Sequence, residues 1–251
     1  MQQTPGRRPI QPPKVWTGIL VAVVVGSITV SVAAAQAQAQ APPPPAQWLR
    51  LDPLAGEMRL TPRESLDGVP PRFVLLTDGS VFVGGRREVL RGSLDKGEMQ
   101  VLSTKLAVVM KSSGKAGPPP TLVVGDGPAT FRFSVLLGAP LQIVVMGTLP
   151  AAEGPALAPW PDFIRRLAGF RHPSLRPYDP AEFTMIVREK TLAGGCRIAS
   201  GLPPLSESGS NDLVVSETLT RGFPTGADMA QVCEGSKRYT VVFRPLIPGE
   251  R

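Results

Sequence analysis

Rarity and chemical type single out three residues: the two cysteines, Cys196 and Cys233, and the one histidine, His172. The cysteines stand 37 residues apart, far from the Cys-x-x-Cys spacing of a redox-active pair. A structural disulfide between them is the expectation, given the oxidising compartment argued below. Closing a loop of that length stabilises a fold by about 3–4 kcal/mol in the chain-entropy description. His172 lies just past an apolar helical pattern and is followed by Pro173, where a cationic side chain suits a helix C-terminus. A capping or surface role follows. Any histidine-dependent catalysis would have to use this residue, and no Gly-x-Ser-x-Gly elbow accompanies it.

The remaining motifs are incomplete. Ser93-Leu94-Asp95-Lys96 has the Ser-x-x-Lys spacing of acyl-serine chemistry, but the Lys-Thr-Gly and Ser-x-Asn elements that complete such a site are lacking. Ser93 therefore reads as a helix N-cap. Gly125-x-Gly127 lacks the lysine and the length of a phosphate loop, and the carboxylates fall into no Asp-x-Asp or Glu-x-x-His arrangement. The sequence predicts no catalytic residue, no metal site and no cofactor.

The N-terminus says where the chain is sent. Residues 1–14 carry Arg7, Arg8 and Lys14 and no acid, and residues 15–35 carry no charge. A basic stretch before an apolar core is an export signal. The segment is either a cleaved signal peptide, with Ala35-Gln36-Ala37 fitting the small-x-small cleavage pattern, or a single-pass anchor. The positive-inside rule places the rest outside the cytoplasm in both cases, periplasmic, extracellular or tethered to the inner membrane. Removing residues 1–37 takes three of the 27 basic residues and none of the 20 acidic ones, so the formal charge falls from +7 to +4. The remaining arginines are scattered without a basic run or interleaved aromatics, and nucleic acid is not an expected partner.

Any site must be positioned by the elements that follow. Residues 38–47 form an Ala/Gln/Pro stalk, and residues 48–71 read as an irregular lead-in punctuated by prolines. Residues 73–83 form two β-rich runs around Asp78-Gly79, which predicts a hairpin with a type I′ turn. Met99, Leu102, Leu106 and Val109 then recur at helical spacing and predict a helix of about 16 residues ending near Lys111.

After a linker at 114–120 the pattern repeats. Short apolar runs at 121–124, 130–136 and 141–146 precede a second helix opened by Pro161, with Trp160, Phe163, Ile164, Leu167 and Phe170 on one face. Beyond His172 the chain turns strand-rich, with runs at 183–187, 196–199, 213–216 and 238–244, and a helical turn or two over 227–233. The disulfide would pin the 196–199 strand to the turn before the last strand.

As a topology, residues 72–170 resemble the emfourin-like modules associated with thermolysin-type metalloproteases, which have a strand pair, a helix, a second strand pair and a closing helix. The matching stretches are 73–83, 94–111, 130–146 and 161–170, within a region, 72–170, that covers about 40% of the chain. The resemblance implies protease inhibition through an exposed surface, and it carries over no inhibitory residue.

The sequence thus predicts an α+β fold: a mostly antiparallel sheet with two main helices in two hairpin-plus-helix units, and a disulfide-linked, strand-rich C-terminal part. The folded region is 48–251, with a subdivision near 171–180 as an option. The expected function is a non-catalytic binding or structural domain of the cell envelope, whose partner is a protein or envelope component and which meets the membrane only through its N-terminal segment. A protease-inhibitor-like module and an enzyme of unrecognised type are the alternatives.

Overall fold

The computed structural model describes residues 44–112, 121–124, 127–137, 141–147, 159–189, 194–198, 201–206 and 212–250. The expected export segment at 15–35 and most of the expected stalk lie outside them. Among the described residues no helix is long and apolar enough to cross a membrane. The fold is α+β and strand-rich, as expected.

An eight-stranded sheet comes first. Its strands are β1 (Gln47–Pro53), β2 (Phe73–Leu76), β3 (Ser80–Gly84), β4 (Val89–Ser93), β5 (Thr121–Val124), β6 (Ala129–Val135), β7 (Leu141–Met146) and β8 (Arg176–Pro177), in the spatial order β5-β7-β6-β1-β2-β3-β4-β8. Only β5 and β7 run parallel. The two hairpin-plus-helix units are therefore joined in one sheet, and the strand that joins them is β1, paired antiparallel with β2 on one side and β6 on the other.

This central strand overturns the irregular lead-in expected at 48–71. Gln47, Leu49, Leu51 and Pro53 alternate inward as a half-buried strand requires, and the stalk ends where this strand begins. Pro53 stands at the last position of the strand. Prolines at 53, 62, 70 and 71 masked the alternation in a wider window, although it is intact over the seven residues that matter.

Two helices cover one face of the sheet: α1 (Lys96–Ser112) and α2 (Pro159–Ala168). Leu106 and Val109 from α1, with Trp160, Phe163, Ile164 and Leu167 from α2, pack on Leu49, Leu51, Phe73, Leu75, Phe133 and Ile143 of the strands. At roughly 1.5–3 kcal/mol per fully buried large apolar side chain, this layer is the largest source of stability in the molecule. Helix α2 starts two residues before Pro161, with Pro159 and Pro161 both in its first turn, where the missing N–H groups have no intrahelical partner to lose. The opposite face of the sheet, around Val74, Leu76, Phe82 and Val89, is closed by Ile247 from the C-terminal segment and by Tyr178.

Two local expectations give way to better-fitting chemistry. The loop between β2 and β3 has three residues, Thr77, Asp78 and Gly79. Gly79 N–H donates to the Leu76 carbonyl, and only Gly79 has positive φ (+87°). That is a type I turn followed by a glycine bulge, since a type I′ turn would need positive φ at both central residues. At the start of α1, Ser93 is still the last residue of β4, and the cap is Asp95: its Oδ1 accepts the Glu98 N–H at 2.8 Å while its own N–H donates to Glu98 Oε2 at 2.8 Å. This reciprocal box satisfies two otherwise orphaned donors.

The second sheet has five strands, β9 (Glu182–Arg188), β10 (Arg197–Ile198), β11 (Leu213–Ser216), β12 (Ala230–Glu234) and β13 (Lys237–Pro245), ordered β10-β12-β13-β9-β11. The helical turns expected over 227–233 are instead β12, paired with β13 through a two-residue turn in which Gly235 has φ +59°. Glycine at the first central position is what a type II′ hairpin demands, and Ala230 and Val232 point into the core. A single-turn helix, α3 (Glu217–Thr220), follows β11. Phe183, Met185, Val232, Val241 and Phe243 form this sheet's core, capped by Leu205 and by the partly buried Leu202, Leu219 and Phe223.

The disulfide forms as expected, with Cα atoms 5.6 Å apart. It ties the residue before β10 to β12 itself, beside the parallel pairs Arg197↔Val232 and Ile198↔Cys233.

The sheets are fastened to each other near Gly226 and at the C-terminus. Gly226 N–H donates to Phe243, and Ala227 N–H donates to Arg86 next to β3. A Cβ on Gly226, which has φ +78°, would lie 2.6 Å from Arg87 Cα, so this crossing admits only glycine. Glu250 accepts from Arg50 of β1 at 2.7 Å and from Arg244 of β13 at 2.6 Å.

Candidate functional site

The histidine is not at the end of the helix it follows. Helix α2 closes with its own backbone bonds, Gly169 N–H to Arg165 and Phe170 N–H to Leu167, and the chain then carries His172 across to the first turn of α1. There the Asp95–Glu98 box holds one oxygen of the Glu98 carboxylate and leaves the other, Oε1, 2.8 Å from His172 Nε2. The imidazole stacks on Phe170 with ring centroids 6.3 Å apart. Its other nitrogen, Nδ1, lies 2.6 Å from Ser174 Oγ and accepts the Ser174 backbone N–H at 3.2 Å. An Nδ1 that accepts an N–H carries no proton, so in the neutral ring the proton sits on Nε2 and is donated to Glu98.

Ser174, His172 and Glu98 thus make a hydroxyl–imidazole–carboxylate chain like that of acyl-transfer enzymes, but with the ring nitrogens exchanged: Nδ1 meets the hydroxyl and Nε2 the carboxylate. It also differs in where the hydroxyl goes next. Ser174 Oγ accepts the Ser93 N–H at 3.0 Å and lies 3.1 Å from the Ser93 carbonyl. It reaches β4 this closely because residue 92 is glycine, where a Cβ would stand 2.5 Å from the hydroxyl. The Ser93 N–H is donated to the hydroxyl itself and so is taken up before it could stabilise an oxyanion. The chain therefore works as a brace joining the N-terminus of α1, the loop after α2 and the end of β4. The Glu98 carboxyl is held below the ordinary range, first by the Asp95 N–H and then by His172.

Sequence reasoning placed His172 correctly past the second helix and gave it the wrong neighbour. Asp95-x-x-Glu98 is a capping-box signal available in the sequence, and His172-Pro173-Ser174 puts a hydroxyl two residues from the ring. Their meeting across 74 residues is a tertiary fact with no local signature.

A second set of polar groups borders this brace. Strand β8 pairs with β4 in the register Leu90↔Pro177 and Arg91↔Arg176, which sets two arginines directly opposite each other at the sheet's edge. Both are exposed. They flank a shallow hollow of about 320 Å³ also lined by Ser80, Ser93 and Ser174. Arg91 lies over the Phe82 ring at 5.8 Å, and Arg176 donates at 2.7 Å to the carbonyls of Pro173 and Leu175.

Another hollow, of about 740 Å³, runs between residues 44–47 and 246–249. Polar groups on its walls are bonded to backbone: the Tyr178 hydroxyl donates to Leu246 and Gln47 Nε2 to Pro248, each at 3.1 Å. Burial pushes the Tyr178 phenol up. Among the described residues no three His, Cys, Asp or Glu side chains gather where they could hold a metal ion. The disulfide indicates an oxidising environment.

Compared with known proteins, the chain matches no family model, and no curated protein or solved structure matches it.

Proposed function

We propose that this is an exported, non-catalytic binding or structural domain of the cell envelope, with the apolar segment 15–35 serving as its signal or its tether. One observation carries the non-catalytic reading: the Glu98–His172–Ser174 chain closes on Ser93, so its hydroxyl is engaged by the fold. The Cys196–Cys233 disulfide supports export, since such bonds persist in oxidising compartments. The basic, acid-free N-terminus supports passage through the inner membrane.

The test treats the purified full chain with a fluorophosphonate, which phosphonylates activated serines, and measures intact mass with and without reductant. We expect no adduct at Ser174, and a gain of two hydrogens on reduction. A phosphonyl group on Ser174 overturns the non-catalytic reading. Recovery of the protein from the cytoplasm with reduced thiols overturns export.

A further inference from the structure

The arginine pair between β4 and β8 is electrostatically incomplete. Directly opposed residues on antiparallel strands place their Cβ atoms about 4.5–5.5 Å apart, and like charges there destabilise the pairing. Several other arginines of the fold are ion-paired, among them Arg50 and Arg244 with Glu250, Arg87 with Asp228 and Arg188 with Asp67, and others such as Arg132 and Arg238 form no ion pair within the described residues. Among the described residues no ion pair joins Arg91 or Arg176 to a carboxylate. Arg91 rests on an aromatic face, and Arg176 is steadied by two carbonyls that fix its direction without neutralising it.

The same hollow collects hydroxyls. Ser80 and Ser93 are register partners on β3 and β4, two pairs along from Phe82↔Arg91, so by alternation of the pleat Ser80, Ser93 and Arg91 share a face. Ser80 and Ser93 border the hollow with both arginines, and the pocket lining contains no carboxylate. The Ser80 hydroxyl donates to Asp78 Oδ2 at 3.1 Å and the Ser174 hydroxyl belongs to the brace, so the groups the hollow offers an oxyanion are the two guanidiniums and the Ser93 hydroxyl. A tetrahedral oxyanion fits better than a carboxylate, because it can face two guanidiniums and still offer an oxygen to Ser93. The shape of the site follows from the brace: Ser174 holds the 172–176 loop against β4, which sets β8 and Arg176 beside Arg91.

We propose that the hollow between Arg91 and Arg176 binds a phosphoryl group. This deepens the binding reading above and rests on it. An anion there bridges the two guanidiniums and converts a repulsive strand pair into an attractive one, which also completes the short edge strand β8. The same chemistry is offered by free phosphate and by an anionic phospholipid headgroup.

Calorimetric titration of the purified full chain distinguishes them. The probes are inorganic phosphate and dihexanoyl phosphatidylglycerol as monomer, with dihexanoyl phosphatidylcholine as the zwitterionic control. Saturable binding of either anionic probe is expected, weakening with added salt and falling about tenfold or more in Arg91→Gln and in Arg176→Gln. Arg221→Gln, an exposed arginine paired with Glu217 outside the hollow, should bind as the parent does. Tighter binding of the lipid assigns the site to a headgroup, and tighter binding of phosphate assigns it to the free ion.

Because Arg176→Gln also removes bonds to the 173–175 backbone, Ser93→Ala, which keeps the backbone bonds to Ser174, is a gentler second probe, expected to weaken binding several-fold with an unchanged melting temperature. The proposal is overturned if neither probe binds, or if binding is the same in the arginine variants as in the parent. Such a result leaves the non-catalytic reading standing, since that depends on Ser174 labelling alone.

Discussion

The two sheets solve the same problem, covering an apolar face, with different materials. The first lays α1 and α2 over one side and the C-terminal segment over the other, so its central strands are buried on both faces. The second has no long helix among the described residues. Its core is capped by Leu205, Leu202, Leu219 and Phe223 from loops and a single helical turn, and its edge strand β10 has two residues held by a disulfide. Packing stabilises the first sheet and covalent constraint supplements the second. A loop cover contributes fewer buried contacts than a helix, and its backbone must find partners one by one. Glu234 shows how: its carboxylate takes the N–H groups of Leu205 and Ser206 at 2.9 and 3.0 Å, and these bonds, the Leu205 one foremost, hold its pKa down.

Removing the centre of the helical cover is the harshest way to probe that contrast. Trp160 is fully buried, with ring centroids 6.0 Å from Phe133 and 6.2 Å from Phe163. Trp160→Ala should cost about 3–5 kcal/mol, enough to consume most of a typical domain's stability. Urea unfolding measures it, and hydrogen exchange should show the amides of β1, β6 and β7 opening first. A loss below about 1 kcal/mol would mean that the helices do not carry the first sheet.

The matching experiment on the second sheet is the double change Cys196→Ser with Cys233→Ser. Loss of the cross-link should cost about 3–4 kcal/mol in the chain-entropy description. Exchange should rise at β10 and β12 while β1 and β2 keep their protection. If the β1 amides were deprotected equally, the sheets would be one cooperative unit and the contrast would be structural without being energetic.

How much of this was legible depends on where the information lies. The β2–β3 hairpin, the α1 and α2 stripes, β9, β13 and the Cys196–Cys233 pair are written in residues close in sequence or in a scarce residue type. Strand β1 was missed because flanking prolines hid seven alternating residues, and β12 because Ala227 to Cys233 has no strong period of its own until β13 imposes one. The Ser174 brace and the arginine pair were not legible at all. Each joins β4 to a loop more than 80 residues later, and a register such as Arg91↔Arg176 exists only once both elements are on the same sheet.

The mildest of these tests addresses the join. Glu250 is nearly buried between Arg50 of the first sheet and Arg244 of the second, and it also accepts the Ile247 N–H at 2.9 Å. Burial alone would raise its pKa, but Arg244, Arg50 and the Ile247 N–H together outweigh it and hold the carboxyl below its ordinary value. A carboxylate with a depressed folded pKa stabilises fully above its unfolded pKa of about 4.3, and that contribution disappears as pH falls through the folded value. Glu250→Gln should therefore cost about 2 kcal/mol at pH 7, less than a fully buried pair because both arginines keep some solvent contact. Below pH 4 the difference from the parent should shrink, because the parent then loses the same charge. Chemical denaturation from pH 7 to pH 3 measures both limbs. A cost that stayed constant across that range would assign Glu250 to packing, and the fastening of the two sheets would then rest on Gly226 and Ile247 without the ion cluster.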